Sequence, residues 1–151
     1  MNVRRIERRD AQAWLKMQLE LWPDAERAEQ VASIEEYFRG TSIFTTVAFL
    51  AESDREPIGF LEINLRAYAE GAESSPVPHI EGWFVTPQFR RTGAGRALMR
   101  AAEEWARSQG YRELTSDTTD DYPLSLAAHK NLGFTEVERL IALRKSLDAI
   151  D

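Results

Sequence analysis

The 151-residue chain carries 19 basic and 25 acidic residues, a net charge of −6, with 43% hydrophobic and 10% aromatic residues. That length reads as one domain over residues 1–151, and the composition supplies a buried core rather than a disordered chain. The acidic balance argues against nucleic acid as a partner and suits a cationic one. The absence of cysteine excludes disulfides, thiolate metal sites and an acyl-cysteine intermediate, and two histidines give a metal site almost no support.

Residues Val3 to Glu7 read as a short strand. Asp10 offers an N-cap for a helix carrying Trp14, Leu15, Leu19 and Trp22, which Pro23 ends. A second helix is expected from Ala25 to Arg39, with Ala28, Val31, Ile34, Glu35 and Phe38 near one face and Gly40 as its stop. Ile43 to Ala51 and Pro57 to Ala67 read as a hairpin around a turn at Ser53 to Glu56. The stretch from Thr41 to Ala51 is too short for a bilayer and Met1 to Asp10 has no signal-like run, so a cytoplasmic chain without membrane contact is expected.

Tyr68 to Pro78, with Gly71, Ser74, Ser75, Pro76 and Pro78, is a long loop of the kind that carries function. His79 to Thr86 reads as a buried strand, Pro87 to Ala94 as a turn and Gly95 to Gln109 as an amphipathic helix closed by Gly110. Arg112 to Ser116 is strand-like, Tyr122 to Asn131 helical, and Phe134 to Glu138 and Ile141 to Ser146 read as two closing strands.

The segment from Ile80 to Arg96 couples a buried strand to a glycine-bearing turn that opens a helix. Free amides of a first helical turn, at the positive end of the helix dipole, bind phosphate. Gly93 and Gly95 would let a pyrophosphate approach that backbone, and Arg90, Arg91 and Arg96 add charge beside it. A Gly-x-Gly pair also occurs in ordinary turns, so the glycines leave both readings open.

Glu81 interrupts an apolar strand, and alternation puts it on one face with Trp83 and Val85. It is either an edge-exposed or ion-paired glutamate, or a base or anchor for a substrate ammonium. An alkylamine is protonated at pH 7 and attacks an acyl carbon only when neutral, so a nearby carboxylate solves a chemical problem. Asp117, in the run Ser116-Asp-Thr-Thr-Asp-Asp121, is the second such group, or else an N-cap or Asx-turn residue.

Arg90-x-x-Gly93-x-Gly95 after a strand, with Asn131-Leu-Gly-Phe134 downstream, resembles the acetyl-CoA signature of the GNAT acetyltransferases. Leu21-Trp-Pro23, Ser74-Ser-Pro-Val77, Glu81-Gly-x-Phe-Val85, Thr115-Ser-Asp-Thr118 and Glu136-x-Glu-Arg139 resemble one branch, the aminoglycoside 6′-N-acetyltransferases. The resemblance implies an α/β (α+β) GNAT fold: a mixed, mostly antiparallel twisted sheet, splayed in the middle and flanked by about four helices. It implies acetyl-CoA as co-substrate, no metal, an aminoglycoside as cationic acceptor, and a homodimer.

By the same resemblance, Trp83, Phe84 and Val85 offer backbone to the pantetheine arm, and Arg90, Arg91, Thr92, Gly93, Ala94, Gly95 and Arg96 hold the pyrophosphate. Trp22 and Tyr68 stand where the related enzymes line the sugar site, Trp22 being equally a core residue, and Asp117 stands beside the substrate amine, with Glu81 or Asp117 as base and acceptor anchor. Read from the residues themselves, Glu73 and Asp120, with Glu70 and Asp121, make either a negative rim suited to a polycation or a solvated face. Many GNAT proteins place a tyrosine four residues before the Gly-Phe pair to protonate the departing thiolate. Here His129 stands there, as acid or as a packing residue. The remaining alternatives are transfer to another amine (a polyamine, peptide N-terminus or lysine) or an acyl-CoA-binding module without catalysis.

Overall fold

Two short helices lead into an antiparallel hairpin because the chain's periodicity changes from 3.6 to 2 near residue 45. The structure, a computed structural model, describes residues 1–148. It contains β1 (Asn2–Arg5), α1 (Ala11–Leu21), α2 (Arg27–Arg39), β2 (Val47–Ser53), β3 (Glu56–Arg66), β4 (Val77–Val85), α3 (Ala94–Ser108) and α4 (Pro123–Asn131). The four strands form one antiparallel sheet in the order β1-β2-β3-β4.

Alternation along the strands builds a core on each face. Val47, Phe49 and Ala51 of β2 pack with Leu61, Ile63 and Ile80 under Leu98, Met99 and Ala102 of α3. Ala48, Leu50 and Phe60 pack on the other face with Trp14, Leu15 and Met17 of α1 and Ile34 of α2. Leu98 and Phe60 are wholly buried, so the sheet is the middle of three layers.

Several boundaries differ from expectation. Asp10 does not cap α1: its carboxylate turns back to the Glu7 amide at 2.7 Å and to Arg4 at 2.7 and 2.9 Å, because a 3₁₀ turn over Arg8–Asp10 feeds directly into the helix. Trp22 stands just beyond α1. Strand β4 starts at Val77, so the long loop ends at Pro76.

The three late strands are absent among the described residues. Arg112–Ser116 reduces to a single parallel bridge, His79 to Thr115, closed by Ile80 N–H to Thr115 O at 2.8 Å and Thr115 N–H to Pro78 O at 3.0 Å. Phe134 to Glu138 and Ile141 to Ser146 form no strand; apart from Phe134 N–H to His129 O at 3.1 Å, they make no backbone hydrogen bond with the described residues. Beyond Ile80, no backbone bond joins β4 to residues 111–116, so the sheet opens there and leaves the edge of residues 82–85 free.

Candidate functional site

Two features of β4 make a site: its free edge leads to the start of α3, and its middle carries a bulge. At the first, Gly93 is the N-cap of α3 with φ +94°, a left-handed conformation that a side chain would strain. Thr92 Oγ1 donates to Phe89 O at 2.5 Å and Arg90 Nε to Val85 O at 3.0 Å, which fixes the loop. Arg91 and Arg96 are exposed and have no ion-pair partner among the described residues. The amides of Ala94, Gly95 and Arg96 begin the helix and have no intrahelical acceptor.

Gly95 serves differently than expected. A Cβ there would lie 3.3 Å from Trp83 Cζ2, and Trp83 Nε1 donates to Gly95 O at 3.1 Å. Its missing side chain brings helix and strand together; the opening toward an anion belongs to Gly93. Trp83 and Val85 pack against the α3 core and Phe84 is buried in the opposite one, so what these three present outward is backbone.

Glu81 does not share a face with Trp83 and Val85. Glu62 pairs with Gly82 and Ile63 with Ile80, which leaves Glu81 as the extra residue of a bulge. A bulge reverses the alternation, so Ile80 and Trp83 point together toward α3. Glu81 instead meets Arg66, whose Nε and Nη2 donate to its two oxygens at 2.6 and 2.9 Å. It also lines a cavity of about 300 Å³ with Trp22 and Glu62, and Gly82 must be glycine beside it, since a Cβ would come within 2.9 Å of the Trp22 ring.

Asp117 caps nothing, since α4 starts only at Pro123. Its side chain is 70% exposed, with Oδ2 3.3 Å from Nε2 of the buried His79. His79, with help from Arg66 and His129, holds the Asp117 carboxyl below its ordinary value, so it is ionised at neutral pH. The Glu81 hydrogen bonds, and more weakly the charge of Asp117, raise the Arg66 pKa, so the guanidinium is bonded to one carboxylate and within the field of the other.

His129 is buried between Trp83 and Phe134, each at 5.1 Å ring to ring. Its Nδ1 lies 2.7 Å from Ser125 O, which only accepts, so the proton sits on Nδ1. Nε2, 2.8 Å from Ser116 Oγ, accepts from that hydroxyl in the neutral ring. Any proton His129 passes outward goes through Ser116.

Of the remaining acceptor-site candidates, Tyr68 is exposed, and Glu73 lies in a separate groove with its amide bound to Glu113 at 3.0 Å. Asp120 is paired with Arg139 at 2.6 Å. Of the acceptor-site candidates, Trp22 and Glu81 line the cavity; Asp117 lies outside its lining, on His79, and Tyr68, Glu73 and Asp120 are outside it too. Sequence reasoning missed Arg66, His79, Glu62 and Gln18; the only signal was a charged or polar residue inside an apolar run, as at Glu62 in Phe60-Leu-Glu-Ile63. Among the described residues, no group of three histidines or acids is arranged to hold a metal.

Residues 9–134 match the acetyltransferase (GNAT) family. The chain belongs to that family. It is 42% identical over 146 residues to an aminoglycoside N(6′)-acetyltransferase type 1 of Klebsiella aerogenes, covering 96% of both chains. It is 40% identical over 149 residues to the enzyme of that name from Stenotrophomonas maltophilia, covering 97% of this chain and 94% of the other. Among solved structures, AAC(6′)-Iy bound to the bisubstrate analogue CoA-S-monomethyl-acetylneamine superposes with a TM-score of 0.88 at 34% identity, covering 96% of this chain and 97% of that one. The GNAT fold that the motif resemblance implied is thus present, and the α3 loop and opened β4 edge fall where its signature residues stand.

Proposed function

We propose that this chain transfers the acetyl group of acetyl-CoA to the 6′-amine of aminoglycosides, directly, with both substrates bound together. The observation that carries the reading is that one strand, β4, joins an anion cradle at its end to a carboxylate cluster at its bulge. The residues present fit acetyl-CoA: Gly93 opens the loop, Arg91, Thr92, Arg96 and the first α3 amides face a pyrophosphate, Arg90 braces the loop, and residues 83–85 offer free backbone. Acetyl-CoA supplies the activated acyl group; no cysteine exists to hold it in between.

On the acceptor side, Asp117 is ionised and a weak base, which suits it to anchor the ammonium. Glu81, paired to Arg66 beside it, is the group that takes the proton, through water or as the pair opens. Trp22 walls the sugar site, and the acidic loop from Tyr68 to Pro76, with Glu70 and Glu73, contributes through its charge. Ser116, bonded to His129 Nε2, is the hydroxyl that would relay a proton to the departing thiolate when the imidazole carries a second proton; otherwise the thiolate leaves as the anion and takes its proton from water.

The same reading takes residues 1–151 as one acetyltransferase domain, residues 149–151 lying outside the described ones, and includes a cytoplasmic location. No helix among the described residues is long and apolar enough to cross a membrane. It also includes a homodimer. The segment after α4 exposes Ile141 at 86%, Leu143 at 91% and Leu147 at 77%, apolar residues that a second copy would cover.

The test is CoA release from acetyl-CoA with kanamycin against paromomycin, whose 6′ position carries a hydroxyl. Rapid release with kanamycin and little with paromomycin supports the reading. Equal release, or none with either, contradicts it.

A further inference from the structure

The cavity under Trp22 contains more acceptor chemistry than the transfer of one acetyl group uses. Its lining includes Gln18, Trp22, Glu29, Glu62 and Glu81, drawn from α1, α2, β3 and β4. Glu62 is 4% exposed, and its Oε1 accepts from Trp14 Nε1 at 2.8 Å and Gln18 Nε2 at 2.6 Å. Its Oε2 has no partner among the described residues. Gln18 is 3% exposed, and because its amide nitrogen is spent on Glu62, its Oε1 is buried with no hydrogen bond at all.

A buried acceptor left without a donor is costly, and the orphaned Gln18 Oε1, lining one cavity with the free oxygen of the Glu62 carboxyl, calls for a group that only donates. A primary ammonium has three donors, no acceptor and a charge opposite to the carboxylates around it. Burial raises the Glu62 pKa, a penalty that a cation beside it relieves.

We infer that Glu62 and Gln18 form a second ammonium subsite, which seats an amino group of the substrate other than the one acetylated. Glu62 lies on β3, opposite Gly82 and one strand in from the free edge where the acyl donor would lie. An amine held there is out of reach of the donor, while an amine beside Glu81 and Asp117 is at the edge. The subsite therefore selects polycationic acceptors and sets their orientation. This rests on the aminoglycoside reading for the identity of the polycation, but the pocket's preference for an ammonium does not.

The test is calorimetric titration of the full-length chain, as wild type, Glu62→Gln and Gln18→Met, with neamine, alongside steady-state kinetics with neamine and with 6-amino-6-deoxyglucose, which has a single amine. Loss of a charge-assisted bond predicts roughly 10-fold or greater weakening of neamine binding in Glu62→Gln and a smaller loss in Gln18→Met. KM for neamine rises while kcat at saturation changes little, and the monoamine's kinetics do not respond. Unchanged neamine binding in both variants overturns the subsite, as does an equal loss for the monoamine.

If the wild type neither binds nor acetylates neamine, the aminoglycoside reading fails and methylammonium chloride becomes the probe. Wild-type binding that Glu62→Gln abolishes sustains the pocket, and no wild-type binding overturns it. Should Glu62→Gln fail to fold, Gln18→Met carries the decision.

Discussion

Replacing Glu62 by glutamine tests whether a carboxyl is truly enclosed between α1 and the sheet, and its size follows from burial. The group is wholly buried and desolvation raises its pKa from 4.5 to about 7, against the opposing pull of the Gln18 and Trp14 hydrogen bonds. Glu81, across the cavity, pushes in the same direction as burial. Because the folded value is the higher one, the folded state holds the proton more tightly. Below pH 4.5 both states are protonated and Glu62 imposes no charge penalty; as pH rises toward 7 the unfolded chain ionises first and stability falls. A rise of about 2.5 at about 1.36 kcal/mol each gives a total near 3 kcal/mol. Glutamine keeps an oxygen for Trp14 but does not titrate. Urea unfolding at pH 5 and pH 8, followed by tryptophan fluorescence, should show the variant gaining about 2 to 3 kcal/mol on the wild type between the two. Titrating groups remote from Glu62 cancel in that difference, and the coupled Glu81 adds to it in the same direction. A difference that stays flat to within about 0.5 kcal/mol would refute the burial of an ionisable Glu62.

Four further outcomes are expected. Asp117→Asn lowers kcat/KM for the amine about 10- to 100-fold with KM for acetyl-CoA unchanged, read by thiol release. Gly93→Ala, at φ +94°, distorts the cradle and raises KM for acetyl-CoA about tenfold while kcat is preserved. Leu98→Ala removes a wholly buried side chain between α3 and the sheet and costs about 3 kcal/mol in urea unfolding. Ile141→Glu with Leu143→Glu leaves the chain monomeric by sedimentation at concentrations where the wild type is dimeric; a wild-type monomer contradicts the dimer.

Local chemistry made half of the fold and site legible. The helices were readable because Gly40 and Gly110 terminate strong periodic patterns, and the cradle because Gly93 follows an apolar strand closely. What escaped depends on contacts far apart in sequence. The Glu81 bulge comes from the pairing of β4 with β3 and cannot be inferred from alternation on β4 alone. Arg66 lies 15 residues from Glu81, and Gln18 and Glu62 are 44 apart. The late strands were misread because alternation in Val137 to Leu147 reports a tendency to extend, while a strand requires an edge to pair with.

Regiospecific transfer to the 6′-amine is tested by the structure of the product. Neamine turned over with acetyl-CoA should gain one acetyl group by mass spectrometry, located by NMR on the 6′ nitrogen. An acetyl group on any other nitrogen, or unmodified neamine beside enzyme that binds CoA, would contradict it.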